Sequence, residues 1–326
     1  MKKIRVIIIC LLFLVAGYFI GPTPKEYVLD KNLPEIDKKG KDLEDWITLN
    51  EQKFKLKEDN QARILWNDST TKESTKYVLL YLHGFSASWY EGAPINVNIA
   101  KEMKANAFFS RLHGHGLDTK DALLNMTPDS LYESAKEALV IAHQLGEKVV
   151  IMSTSTGGTL SLKLAADFPD LVDGLILYSP NIVIKQPEAK LLSKPWGLDI
   201  ARIAMGGNFR VFHDTGKVAQ YWYQKYRVES MVYLQQLLDI TMNEETFTKV
   251  SCPTFVGAYY KDDKHEDNTV SVKAIKEMFP QLGAEKKELV LFPNAETHVI
   301  ANGLQSHSWQ RVERKTKEFI HQDILN

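Results

Sequence analysis

The sequence predicts an α/β fold: a mostly parallel central sheet with helices on both faces and one helical insertion. Three observations carry that prediction. Short, unbroken apolar runs recur between residues 77 and 292. Segments with apolar residues at helical spacing lie between several of them. One long stretch, Pro180 to Cys252, interrupts the alternation and holds no comparable run. An apolar run without polar alternation is a strand buried on both faces, which is how strands of parallel sheets read. Parallel neighbours need crossovers, and the intervening helices supply them.

The elements follow in chain order. Lys2, Lys3 and Arg5 precede Val6–Ile20, a run without charge that ends at Gly21-Pro22. A basic head before an apolar stretch reads as a secretory signal or an N-terminal membrane anchor over residues 1–21. The run falls short of the ~17–25 apolar residues of a spanning helix. Val15-Ala16-Gly17 is a poor small-x-small cleavage site, and Ile7-Ile8-Ile9 before Cys10 makes no lipoprotein box. Basic residues at the extreme N-terminus keep that end cytoplasmic, so the rest is expected to face outside. Lys25, Lys31, Lys38, Lys39 and Lys41 weaken this asymmetry. Residues 22–60 are charge-rich and read as a stalk plus one helix over Asp42–Phe54, with Leu43, Trp46, Ile47 and Leu49 as its apolar face.

The main domain is expected over 61–326. Its strand candidates are Tyr77–Leu82, Ala107–Ser110, Val149–Met152, Gly174–Tyr178, Thr254–Tyr259 and Leu289–Phe292. Leu131, Ala135, Ala138, Leu139, Ala142 and Leu145 follow helical spacing, as do Trp309, Val312, Thr316, Phe319 and Ile320. The insertion, about 181–250, is rich in aromatic residues such as Trp196, Phe212, Tyr221, Trp222 and Tyr226. It reads as mainly helical and set above the sheet.

Composition removes several function classes. The chain has 326 residues, with 40 Lys and Arg against 41 Asp and Glu, a net charge of −1. A near-neutral chain has no electrostatic basis for wrapping nucleic acid. Gly and Pro number 18 and 12, too few for a collagen-like or low-complexity chain. The two cysteines are Cys10 and Cys252, and Cys10 sits in the apolar N-terminal run. The folded part therefore has one thiol, which excludes a disulfide scaffold and a cysteine zinc site.

The chemistry-bearing signal begins at Val149–Met152, which leads into Ser153-Thr154-Ser155-Thr156-Gly157-Gly158 and then the helical Thr159–Ala166. A serine in a tight strand-to-helix turn has its Oγ clear of the backbone, at a helix N-terminus whose N–H groups face developing negative charge. The usual G-x-S-x-G pattern here has Ser153 at its first position. Both flanks must be small because strand and helix crowd there, and serine is small. A Ser/Thr-rich helix cap is the plainer reading of the pentapeptide alone. His298 follows the last strand and precedes the terminal helix, the place of a base. An acid is sought in the loop after Thr254–Tyr259, which carries Asp262, Asp263, Glu266 and Asp267. Asp267 is preferred, because Ser271 four residues on looks like the N-cap of a helix over Val272–Phe279. Asp262, nearer the strand end, is second.

These residues, with His83-Gly84-Phe85 after one strand and Arg111-Leu-His113-Gly114-His115-Gly116 after the next, resemble the α/β-hydrolases. The resemblance is nearest the monoacylglycerol lipase and carboxylesterase branch, including its serine-aminopeptidase-like members, and covers roughly residues 75–323. The chain order Ser155, acid, His298 matches it. It implies an α/β-hydrolase fold and an oxyanion hole from the backbone N–H groups of Phe85 and Thr156. It also implies a lid where the aromatic insertion falls. The implied activity is that of a serine hydrolase cleaving a small-molecule carboxylic ester through an acyl-enzyme, with no cofactor or metal. Thioester and amide cleavage use the same triad, and a non-catalytic binding module on this scaffold is the alternative of another class. His83 reads as a structural loop residue. His113-x-His115-x-x-Asp118 brings metal-ligand types together, but no second pair has supporting spacing.

Overall fold

The computed structural model describes residues 17–325, so the expected signal or anchor falls largely outside them. No helix among the described residues is long and apolar enough to cross a membrane. Chain entry begins with residues 22–39, which form no helix or strand. This segment, read as part of a stalk, lies along the domain. Leu29 and Ile36 pack on the core, Gln236 donates to Lys25 O (2.6 Å), and Lys136 Nζ donates to Asn32 O (2.5 Å). Composition hides this, because the few apolar side chains that dock it are scattered among charges.

Helix α1 (Gly40–Glu51) buries Leu43 and Ile47. Strands β1 (Arg63–Leu65) and β2 (Thr75–Leu82) follow, then α2 (Ile95–Glu102), β3 (Asn106–Phe109), α3 (Pro128–Leu145), β4 (Gly146–Thr154), α4 (Thr156–Asp167) and β5 (Gly174–Tyr178). The insertion carries α5 (Gly197–Met205), β6 (Phe209–Val211), α6 (Gly216–Tyr221), β7 (Lys225–Arg227), α7 (Glu229–Thr241) and α8 (Glu244–Lys249). The chain closes with β8 (Thr254–Ala258), β9 (Tyr260–Asp262), β10 (His265–Glu266), α9 (Val272–Met278), β11 (Lys287–Leu291) and α10 (Trp309–Phe319).

The main sheet has the order β1-β3-β2-β4-β5-β8-β11. Only β1 runs antiparallel; every other neighbour pair is parallel. Strand periodicity divides the core. Val78, Leu80, Leu82, Val149 and Ile151 face a layer holding α1, α3, α4 and α9. Tyr77, Leu79, Tyr81, Val150 and Met152 face the layer of α2 and α10. Both faces are covered, so the central strands are apolar throughout, and each fully buried aliphatic side chain contributes about 1.5–3 kcal/mol.

The six strands read from apolar runs are present, Gly174–Tyr178 with the expected ends and the other five with ends shifted by at most three residues. Three short features are additional: β1, the β6–β7 ribbon in the insertion, and the β9–β10 hairpin in the acid-rich loop. Each is two or three residues per strand and mostly unburied, so no apolar run marks it. The parallel register sets Leu82 beside Ser153. The loops after β2, β4, β8 and β11 therefore all open at the carboxyl end of the sheet, where open α/β sheets bind ligands.

Candidate active site

Ser155 stands between β4 and α4 with φ 54° and ψ −117°, a strained backbone for a non-glycine residue. Its N–H donates to Tyr178 O (3.0 Å), while its C=O accepts from Gly158 N (2.8 Å) and Asn181 N (3.0 Å). These bonds hold the strained turn in place. The following glycines are required by space: a Cβ on Gly157 would lie 2.0 Å from Leu82 O, and one on Gly158 would lie 2.8 Å from the Pro180 ring. Ser153, at the position where the pattern has glycine, is fully buried. The side chain of Ser155 is almost covered, at 5% exposure.

His298 and Asp267 meet. His298 Nδ1 lies 2.6 Å from Asp267 Oδ2, and the other carboxylate oxygen accepts from Thr269 N (2.8 Å) and Val270 N (3.1 Å). A carboxylate only accepts, so Nδ1 carries the proton and Nε2 keeps its lone pair. Nε2 is buried and has no protein partner among the described residues. Burial works against the imidazolium, but the charge and hydrogen bond of Asp267, with help from Glu91, outweigh it and hold His298 above its ordinary value. Asp267 is fully buried. Desolvation pushes its carboxyl up, yet His298 and the two backbone donors bring it below the usual carboxylate range.

Asp262, the second choice, is spent elsewhere. It accepts from Lys264 N, His265 N and His265 Nδ1 within its own exposed hairpin. Ser271 caps α9 through Ala274 N (3.2 Å), and the chain between that cap and β8 turns Asp267 inward.

Thr156 follows Ser155 directly, a Cβ on Gly84, the residue before Phe85, would lie 3.0 Å from Ser155 Cβ, and neither the Phe85 nor the Thr156 amide donates to a protein acceptor among the described residues. Two buried histidines fix the loop that carries Phe85. Leu112 N donates to His83 Nε2 (3.1 Å), so His83 Nδ1–H donates to Gly84 O (2.9 Å). Reciprocally, Ser86 N donates to His115 Nε2 (3.1 Å), and His115 Nδ1–H donates to His113 O (2.9 Å). The rings meet edge-on at 4.8 Å. Burial pushes His83 down to about 4 and His115 well below its ordinary value, so both stay neutral. His115 thus has both ring nitrogens engaged in clasping two loops, and Asp118 pairs with Lys55 (2.6 Å). Neither is arranged as a metal ligand.

Sequence reasoning missed Glu91 and Asn302. Glu91 is 2% exposed and accepts from Gly84 N (2.5 Å) and Tyr81 Oη (3.4 Å). Burial raises its carboxyl to about 7, against the pull of the Gly84 amide, His298, Tyr81 and Trp222. One signal was available: Glu91 is the only acidic or basic residue, histidine aside, between Lys76 and Lys101. Asn302, just beyond His298, donates to Tyr90 O (2.8 Å) and ties the two loops together.

A cavity of about 820 Å³ lies away from this site, between α1, α3 and the 111–125 loop; neither Ser155 nor His298 lines it.

Comparison with known proteins adds a family and a fold. The family described as serine aminopeptidase, S33 matches residues 75–305. A search of curated protein sequences returns no match. One of two metagenome-derived lipolytic enzymes superposes with a TM-score of 0.66 at 16% identity, covering 82% of this chain and 99% of that one. A soluble variant of monoglyceride lipase from Saccharomyces cerevisiae, in complex with a substrate analog, gives 0.57 at 14%, covering 93% and 100%. The monoacylglycerol lipase of Paleococcus ferrophilus gives 0.56 at 12%, covering 79% and 97%. At these identities the likeness speaks for the fold.

Proposed function

This chain belongs to the serine aminopeptidase S33 family of α/β-hydrolases, and from that premise we propose that it is a serine esterase of the lipase-like kind. Ser155 attacks the ester carbonyl. His298 Nε2 takes its proton, and Asp267 holds the imidazole in the required tautomer and stabilises the imidazolium. The Phe85 and Thr156 amides receive the oxyanion. His298 then returns the proton to the leaving alcohol, and water releases the acyl group by the same route.

The single observation that carries this reading is the 2.6 Å contact between His298 Nδ1 and Asp267, which leaves a buried Nε2 without a protein partner among the described residues; the strained backbone of Ser155 in its strand-to-helix turn supports it. The ester preference is supported by the lipolytic and monoglyceride lipase neighbours and by the apolar surface of the insertion, the lid of this reading, where Ile203 is 81% exposed. The same proposal has residues 1–21 carry the chain to a membrane with the hydrolase domain outside the cytoplasm. Its support is the basic head, the apolar run and the exposed Phe19 and Ile20 that continue the run.

The test is a series of p-nitrophenyl esters of increasing acyl length with the wild type and Ser155→Ala. Hydrolysis by the wild type, lost in the variant to the uncatalysed background, is expected. Equal rates for the two proteins would sink the proposal.

A further inference from the structure

We propose that Glu91 is a positioning residue: its buried carboxylate fixes the oxyanion loop through the Gly84 amide and faces His298 as a second acidic neighbour. This rests on the reading of Ser155 as nucleophile. Gly84 lies between the two groups. A Cβ placed on it would be 2.8 Å from Glu91 Oε1 and 3.0 Å from Ser155 Cβ, so carboxylate, glycine and nucleophile stand in one packed layer. Both peptides around Gly84 are held. Its N–H donates to Glu91 Oε2 (2.5 Å), and its C=O accepts from His83 Nδ1 (2.9 Å) and Ala87 N (3.3 Å). A peptide is planar and trans, so fixing Gly84 O sends the Phe85 N–H the opposite way. A charge-assisted bond of this length is among the stronger single restraints a loop can have.

Glu91 is itself anchored to the segment bearing the base. It sits in the turn Trp89–Gly92, whose Tyr90 and Glu91 carbonyls accept from Asn302 Nδ2 (2.8 and 3.3 Å), while Gly303 N donates to Ala93 O (2.8 Å). Tyr81 Oη of β2 lies 3.4 Å from Glu91 Oε2, and the groups whose charge or hydrogen bonding acts on the carboxylate are His298 from the loop after β11, Tyr81 and Trp222 from the insertion. Among the described residues no lysine or arginine pairs with it. When ionised, Glu91 favours the imidazolium that forms as Ser155 loses its proton; its own midpoint of about 7 lies where His298 titrates, so the two groups titrate as a coupled pair.

Removing the charge while keeping the acceptor separates the two effects. The measurement is the rate of covalent labelling by a fluorophosphonate probe against pH, for wild type, Glu91→Gln and Glu91→Ala, with thermal melts as the folding check. In Glu91→Gln the amide oxygen still receives the Gly84 N–H, but His298 loses a charge that raises it. Its acid limb is expected to move to lower pH by about half a unit or more. Glu91→Ala also frees the loop, and its plateau rate is expected to fall about tenfold or more below that of Glu91→Gln. If Glu91→Ala does not fold, Glu91→Gln alone decides. A Glu91→Gln profile that superimposes on the wild type overturns the proposal, even with a slow Glu91→Ala, because slowing alone is what any packing residue gives. A wild type that takes no label would instead sink the nucleophile reading itself.

Discussion

The floor of the site and the lid above it are built on opposite terms. Around Ser155 every position is over-determined: Thr154, Asp267 and His83 are fully buried, and Gly157 has a carbonyl where a Cβ would go. In the lid, Ile203 is 81% and Val211 51% exposed, and Gly206, Gly207 and Gly216 have open space where a Cβ would stand. The floor holds a strained serine and a buried carboxylate only because its surroundings leave no alternative. The lid carries apolar side chains that gain nothing from facing water, and elements that admit ligands are drawn from the less stable parts of a fold. In the proposed reading, chemistry belongs to the first region and choice of substrate to the second.

That contrast breaks first at the acid. Asp267→Asn removes the charge opposite the imidazole and disturbs its tautomer, so kcat on one activated ester is expected to fall about 10⁴-fold. Asp262→Asn alters an exposed hairpin pair and is expected to change kcat by about tenfold or less. The reverse order would move the acid to Asp262. Circular dichroism of both variants checks the fold.

Next comes stability. Gly157→Ala forces a methyl against Leu82 O at the floor and is expected to cost about 3 kcal/mol or more by denaturant unfolding. Gly206→Ala in the lid meets nothing but keeps a left-handed φ of +69°, a cost of about 1 kcal/mol. Comparable losses at the two sites would erase the distinction between the regions.

A pH profile sharpens it further. His298 is held above its ordinary value, and in the proposed mechanism its neutral form is the base. Activity is therefore expected to fall as pH drops through a midpoint above about 6.5. A midpoint well below that value would mean that burial outweighs Asp267 and Glu91. The smallest effect is expected from Ile203→Ser, whose side chain is exposed: stability within about 0.5 kcal/mol of wild type. A loss of several kcal/mol would show that the lid is packed after all.

The same contrast explains what could be read from sequence. Strands such as Val149–Met152 are buried on both faces and betray themselves as apolar runs. Asp267 stood out from its acidic neighbours through a helix cap at Ser271, a local signal. The β6–β7 ribbon, the docking of residues 22–39 and the clasp between His83 and His115 depend on residues distant in sequence and leave no periodic trace. Glu91 sat in plain view as a lone charge in an apolar stretch, but its role needed the fold to bring it to Gly84.

In the proposed mechanism Ser155 is the nucleophile set by this floor. Labelling the full chain with a fluorophosphonate and locating the adduct by peptide mass spectrometry tests it most directly. One adduct per chain is expected, on Ser155, and none on Ser155→Ala. Label on another residue, or undiminished label on Ser155→Ala, would contradict it.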